Sequence, residues 1–224
     1  ARAEAAPLFL YGSDLVVDPV ELVPERGTRF HVRTWKRGYS SVYLPMPGSQ
    51  FVRDAALALG LCEAAKERGL VDFGSAQLRP ALARARVPGR CHLVETDPPV
   101  LLDGAHNPGA MAAVFATLRE FFPSRRPVVL FGLLADKDVD STLAAMAGAR
   151  RFYVTRVESA RTMGSAELAA AVRARRDVPV ESGDDALALL DRARASLEPG
   201  EILLVTGSFY LVGQFLRDRY PEAT

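Results

Sequence analysis

The 224 residues carry 28 Lys and Arg against 27 Asp and Glu, a formal charge of +1, with both signs dispersed along the chain. That pattern excludes the basic run of a nucleic-acid binder, and no apolar stretch approaches the ~18 residues of a membrane span. With 49% apolar and 25% charged residues, the composition is that of a soluble globular protein of one large or two small domains. No signal-peptide pattern opens the chain, so a cytoplasmic location is expected. Ala1-Arg2-Ala3-Glu4-Ala5, which lacks a methionine, reads as the tail of something longer. Cys62 and Cys91 have no metal-like spacing and are expected to be buried free thiols.

Residues from about 7 to 48 are rich in strand and turn signals. Thr28–Trp35 alternates with a period of two, Lys36-Arg37-Gly38 can turn the chain, and Tyr39–Met46 alternates again, which predicts a hairpin. A helix is predicted over 52–68, and a second from Ser75, as N-cap, to about Ala85. Val87-Pro88-Gly89-Arg90 breaks the pattern. Beyond it, Val100–Leu102, Val128–Phe131, Phe152–Val154 and Ile202–Val205 are short continuous apolar runs. They alternate with helical patterns at 109–122, 140–148, 165–175, 184–196 and 209–219. That rhythm predicts a doubly wound, mostly parallel α/β sheet covered on both faces, with Phe152 and Tyr153 in its core. His31 and His92 are read as structural residues of strands.

Ligands of such sheets bind where the strands end and the loops enter the helices. Those loops carry Asp103-Gly104-Ala105-His106-Asn107-Pro108, Gly132 to Asp138, Thr155-Arg156 and Thr206-Gly207-Ser208. Pro108 suits the first turn of a helix and Asn107 its cap, so backbone N–H groups at the helix mouth favour an anion beside Asp103 and His106. Asp103 and His106 lie in a loop that neither a strand ladder nor apolar packing requires. Their removal is therefore expected to cost little stability unless one of them caps the turn. Thr206-Gly207-Ser208 offers hydroxyls and N–H groups at a second helix start, which a simple N-cap also explains. Lys137, between Asp136 and Asp138, fits either a ligand site or a solvated ion-pair cluster.

Leu102-Asp103-Gly104-Ala105-His106-Asn107-Pro108 resembles the signature that opens the C-terminal domain of folylpolyglutamate and dihydrofolate synthases, the folate branch of the Mur ligase superfamily. Tyr11-Gly12-Ser13-Asp14, Gly48 to Ala58, Pro88-Gly89-Arg90, Asp136-Lys137-Asp138 and Thr206 to Val212 resemble further segments of that family in the same order. The resemblance implies a Rossmann-like C-terminal domain over 87–224 and, over 1–86, the tail of the central ATPase domain. It implies an enzyme that uses ATP and Mg²⁺ to phosphorylate the terminal carboxylate of folate or pteroate, the acyl phosphate then being attacked by the amine of L-glutamate. Carried over residue by residue, Asp54, Arg90 and Asp103 stand at nucleotide-contacting positions. His106 and Lys137 are the catalytic candidates and, with Ser208, the candidates for glutamate or phosphate contacts.

The sequence departs from the family pattern at several places. Gln50-Phe51 replaces a His-Gln pair, Asp54 replaces an Asn whose amide could donate as well as accept, and Val87 replaces an aromatic. A Gly-rich phosphate loop with its lysine, the Mg²⁺ ligands and a modified lysine precede this stretch in the family. The chain is thus expected to be one piece of a longer ligase or one subunit of a split one, inactive alone and completed by an N-terminal ATPase portion. A non-catalytic module that binds a nucleotide or an amino acid is the competing reading. A Mur-type ligase for another amino acid is a third.

Overall fold

A computed structural model describes residues 7–223, so the reading of Ala1–Ala5 lies outside the described residues. The chain divides into two compact units, with the boundary between Arg86 and Val87.

In the first unit, β1 (Val16–Val23), β2 (Gly27–Arg33) and β3 (Gly38–Leu44) form an antiparallel sheet in that order. The predicted hairpin is β2–β3. β1 was hidden by Asp18-Pro19, which interrupts the alternation of its apolar residues. The fold absorbs the proline at a register shift between Val17 and Val20 on an edge strand, a position where a missing N–H is tolerated. α1 (Gln50–Glu67) lays Val52, Ala55, Ala56 and Leu59 into one apolar cluster with Phe30, Val32, Val42 and Leu44.

Near the end of α1, Glu63 is buried, with its side chain only 1% exposed. It accepts from the Tyr39 hydroxyl and pairs with Arg37 Nε at 2.9 Å, so the buried charge has two partners. Burial, reinforced by the Glu63 carboxylate, pushes the Tyr39 hydroxyl far above its ordinary range. Cys62 is exposed rather than buried. It directly precedes Glu63 and is turned about 100° away from it around the helix. α2 (Ser75–Leu82) is capped by Gly74, not by Ser75, and the Gly74 N–H donates to Gln77 Oε1 at 2.5 Å. It ends three residues short of the predicted Ala85, and its last turns contain Pro80.

The second unit holds a six-stranded sheet. Its elements are β4 (His92–Thr96), β5 (Pro99–Leu102), α3 (Pro108–Phe121), β6 (Arg126–Phe131), α4 (Val139–Ala145), β7 (Arg151–Val154), α5 (Ser165–Arg175), β8 (Val180–Ser182), α6 (Ala186–Ala195), β9 (Glu201–Thr206) and α7 (Phe209–Arg219). The strand order is β4-β5-β9-β6-β7-β8, and only β4 runs antiparallel. Val100, Leu102, Val128, Leu130, Leu203 and Val205 pack against Leu189 and Leu190 of α6 and Leu211, Val212 and Phe215 of α7. Their neighbours Leu101, Val129, Phe131 and Leu204 are equally buried, so both faces of the sheet are covered, and α3, α4 and α5 pack in series. β4 was marked only by the placing of His92 in a strand, and β8 was not anticipated. β4 is only half-buried and β8 has three residues, too few for a periodic signal.

The two units differ in how well their backbone is protected. The first has three strands, of which two are edges, while β5, β9 and β6 each have a neighbour on both sides. Amides of β1–β3 should therefore exchange with deuterium before those of β5, β6 and β9. Hydrogen exchange read by mass spectrometry checks this; equal protection in both sheets contradicts it.

Candidate functional site

Because β5, β6, β7 and β9 are parallel, the loops that follow them emerge on one edge of the second unit's sheet. They are stitched together by backbone bonds. The Gly207 N–H and the Thr206 hydroxyl both donate to the Ala105 carbonyl, at 2.8 and 3.3 Å. The Gly132 N–H donates to the Thr206 carbonyl at 3.3 Å, and Ala135 and Met163 bond to Arg161 and Leu133. Gly207 makes the closest of these approaches possible. Its φ is +101°, and a Cβ there would lie 2.3 Å from the Gly132 carbonyl oxygen.

Asp103 directly follows β5, and it is buried. Oδ2 accepts from the Cys91 N–H and Oδ1 from the Ala105 N–H, both at 2.8 Å, while the Gly104 N–H donates to the Gly89 carbonyl at 2.9 Å. The carboxylate thus ties the segment after Pro88-Gly89-Arg90 to the start of the β5–α3 loop. This corrects the expectation that the loop does not need it: Asp103 does cap the turn. Burial raises its carboxyl above the usual range, opposed by the two N–H donors and the Arg90 guanidinium. Cys91 is buried beside it, and burial together with the Asp103 charge pushes its thiol well up.

His106 is half-buried, and Nδ1 lies 3.0 Å from the Gly104 carbonyl. A carbonyl can only accept, so Nδ1 carries the proton, and in the neutral ring Nε2 keeps its lone pair. Asn107 Oδ1 accepts from the Ala110 N–H at 2.9 Å, and Pro108 opens α3, as expected from the sequence. The Arg90 side chain is exposed, and its guanidinium carbon lies 4.5 Å from the centroid of the Phe209 ring.

Lys137 pairs with Asp136 at 3.2 Å, while Asp138 caps α4 by accepting from the Ser141 N–H at 3.0 Å. Arg161 also approaches Asp136, at 3.9 Å, because the loop after β7 folds back on the loop after β6. Two cations therefore share one carboxylate. Sequence reasoning missed Arg161, which lies seven residues beyond Val154, the last residue of β7. Only the backbone pairing of the two loops brings it to Lys137.

Ser208 is buried as the N-cap of α7, its oxygen accepting from the Tyr210 N–H at 3.1 Å. Of the hydroxyls expected on this edge, those of Thr206 and Ser208 therefore serve the frame. Asp54 belongs to the first unit. It lies on the exposed side of α1, 4.0 Å from Arg53. The structure thus gathers Arg90, Asp103, His106, Lys137 and Ser208 in the second unit, with Arg161 added. Among the described residues, no three His, Cys, Asp or Glu side chains are grouped to hold a metal, and no helix is long and apolar enough to cross a membrane.

Residues 89–209 match the family model described as Mur ligase, glutamate ligase domain. The chain is 31% identical over 173 residues to a probable bifunctional folylpolyglutamate synthase/dihydropteroate synthase of Haloferax volcanii, covering 77% of this chain and 20% of that protein. It is 27% identical over 213 residues to a dihydrofolate synthase/folylpolyglutamate synthase of Bacillus subtilis, covering 95% of this chain and 49% of that one. The folylpolyglutamate synthase of Mycobacterium tuberculosis complexed with ADP superposes with a TM-score of 0.82 at 27% identity, over 93% of this chain and 49% of the other. The chain thus spans about half the length of the Bacillus and Mycobacterium proteins and a fifth of the Haloferax one.

The two loop candidates should separate in a melting experiment. Asp103→Ala leaves two buried N–H donors unpaired, at a cost of roughly 1–3 kcal/mol each, so it should lower the melting temperature clearly. His106→Ala should leave the melt nearly unchanged. The pH dependence has a definite sign. The folded state holds the Asp103 proton at pH values where the unfolded state has lost it, so this contribution to stability is present at low pH and declines as pH rises through the raised pKa. Denaturant titrations across that range should show the decline in the wild type and its loss in Asp103→Ala.

Proposed function

From a chain that belongs to the Mur ligase family, through its glutamate ligase domain, we propose the C-terminal part of an ATP-dependent ligase that adds L-glutamate to folate or pteroate. The observation that carries this reading is the collection of Arg90, His106, Lys137 and Arg161 on the carboxyl edge of one parallel sheet, held there by an internally bonded frame. In this reading residues 1–86 are the tail of the central ATPase domain. The exposed Leu57 and Leu61 of α1, 40% and 73% accessible, favour that assignment, because a helix apolar on two faces suits burial on both.

The reaction has two steps. The terminal carboxylate of the folate takes the γ-phosphoryl group of ATP, forming an acyl phosphate and ADP. The glutamate amine then attacks the acyl carbon, the amide bond forms, a proton is lost from nitrogen, and phosphate leaves. Mg²⁺ would neutralise phosphate charge, and its ligands are assigned to the ATPase portion rather than to these residues. Arg90 suits a nucleotide phosphate, since a guanidinium offers paired N–H donors. Asp103 contributes by fixing the loop that carries His106, and is kept as a nucleotide-contact candidate on the family resemblance. Asp54 is the further nucleotide-contact candidate. Lys137 and Arg161, which share Asp136, suit the two carboxylates of glutamate. The His106 Nε2 lone pair can accept a hydrogen bond from the attacking amine, and Ser208 is proposed at the glutamate end of the site. A cytoplasmic location fits an enzyme of these substrates.

Glutamate-dependent ADP release, measured with MgATP and a folate or pteroate acceptor, tests the proposal. The ligase comprising this chain and its ATPase portion should turn over, whereas the 224 residues alone should not. His106→Ala and Lys137→Ala in the complete ligase should each lower kcat/KM for glutamate at least tenfold. Activity within about threefold of wild type in both variants would refute the site assignment.

A further inference from the structure

Phe209 opens α7, and 40% of it faces solvent, although the family reading gives it no role. Exposing an aromatic ring forfeits burial free energy, so its surroundings call for explanation. The Arg90 guanidinium carbon lies 4.5 Å from the ring centroid. The His106 ring stands edge-on to Phe209, with centroids 6.1 Å apart and planes 63° from parallel. Gly104, between Asp103 and His106 on the same loop, leaves room for the ring: a Cβ there would lie 2.3 Å from Phe209 Cε1. One ring therefore touches the anion-binding candidate, the imidazole candidate, and the loop that joins the latter to β5.

We propose that Phe209 is a positioning residue, an aromatic shelf that holds the Arg90 guanidinium and the His106 imidazole in the orientations the ligation site uses. The proposal rests on the function assigned above and adds a residue to it. A long arginine side chain samples many rotamers, and binding an anion from that ensemble loses the freedom each time. A guanidinium lying on a ring face has already lost part of it, and cation–π attraction holds it without consuming the N–H donors that point outward. His106 is held from two sides, by the Gly104 carbonyl at Nδ1 and by the ring at its edge, so the direction of Nε2 is set before any substrate arrives. Gly104 belongs to the same device, because any side chain there would displace the shelf.

The bland account is that Phe209 only fills space at the start of α7. Phe209→Leu keeps an apolar side chain and removes the π face, whereas Phe209→Tyr keeps the ring. In the 224-residue chain, NMR relaxation of the Arg90 Nε–H and the ring-proton shifts of His106 report on the shelf without any ligation assay. Phe209→Leu should lower the order of Arg90 Nε and move the His106 ring protons, while Phe209→Tyr should resemble wild type. In the complete ligase, Phe209→Leu should raise KM for ATP about tenfold with the melting temperature nearly unchanged, and Phe209→Tyr should restore it. Gly104→Ala should give the same phenotype, and the Gly104→Ala/Phe209→Leu double variant should be no worse than either single one.

Unchanged Arg90 order in Phe209→Leu overturns the proposal whatever the enzyme does. Lost Arg90 order with an unchanged KM for ATP overturns it too, because the shelf would then serve nothing. A wild-type ligase that releases no glutamate-dependent ADP refutes the function reading alone, while the NMR comparison still decides whether Phe209 orders Arg90 and His106.

Discussion

The second unit depends on β9 lying between β5 and β6. No other strand touches both halves of its sheet, and the loop leaving β9 is the one that reaches both neighbouring loops. The contact is tight enough that only a glycine fits at position 207, where a Cβ would collide with the Gly132 carbonyl oxygen. From that point the Ala105 carbonyl is fixed by Gly207 and Thr206, and the β6 loop by its own bond to Thr206. The loop after β7 follows through its pairing with the β6 loop. A parallel sheet would bring these loops to one edge in any case; the stitching turns a shared edge into a defined surface.

On that surface the polar groups divide into two kinds. Asp103, Thr206, Ser208, Asn107 and Asp138 spend hydrogen bonds on the chain itself, closing turns and capping helices. Arg90 is exposed and His106 half-buried, and Lys137 and Arg161 share one carboxylate between them. The first group gives rigidity and the second gives charge. Because these five side chains are satisfied within the chain, the backbone that carries the cations is fixed before a ligand arrives.

Much of this was legible in the sequence, and for definite reasons. Strands buried on both faces read as continuous apolar runs, so β5, β6, β7 and β9 are plain in the sequence, and with them the loops that follow. Asn107-Pro108 announced a helix start by local chemistry alone. What stayed hidden depended on partners distant in the chain or invisible in side-chain letters. Asp103 binds the backbone N–H of Cys91, and no side-chain pattern reports a backbone donor. Arg161 joins Lys137 only because one loop folds back on another. β1 was masked by a proline that an edge bulge accommodates, and Cys62 by a helix whose apolar residues occupy more than one face.

The position of β9 in the order of synthesis has a further consequence. As the chain leaves the ribosome, β4 and β5 emerge first, then β6, β7 and β8, and the strand that must lie between these groups emerges last. Until residues 201–206 are available, the nascent chain holds two separate sheet fragments, each with an open edge where β9 belongs. Long-range pairing of that kind closes slowly, and the half-built unit is exposed to wrong partners for the whole interval.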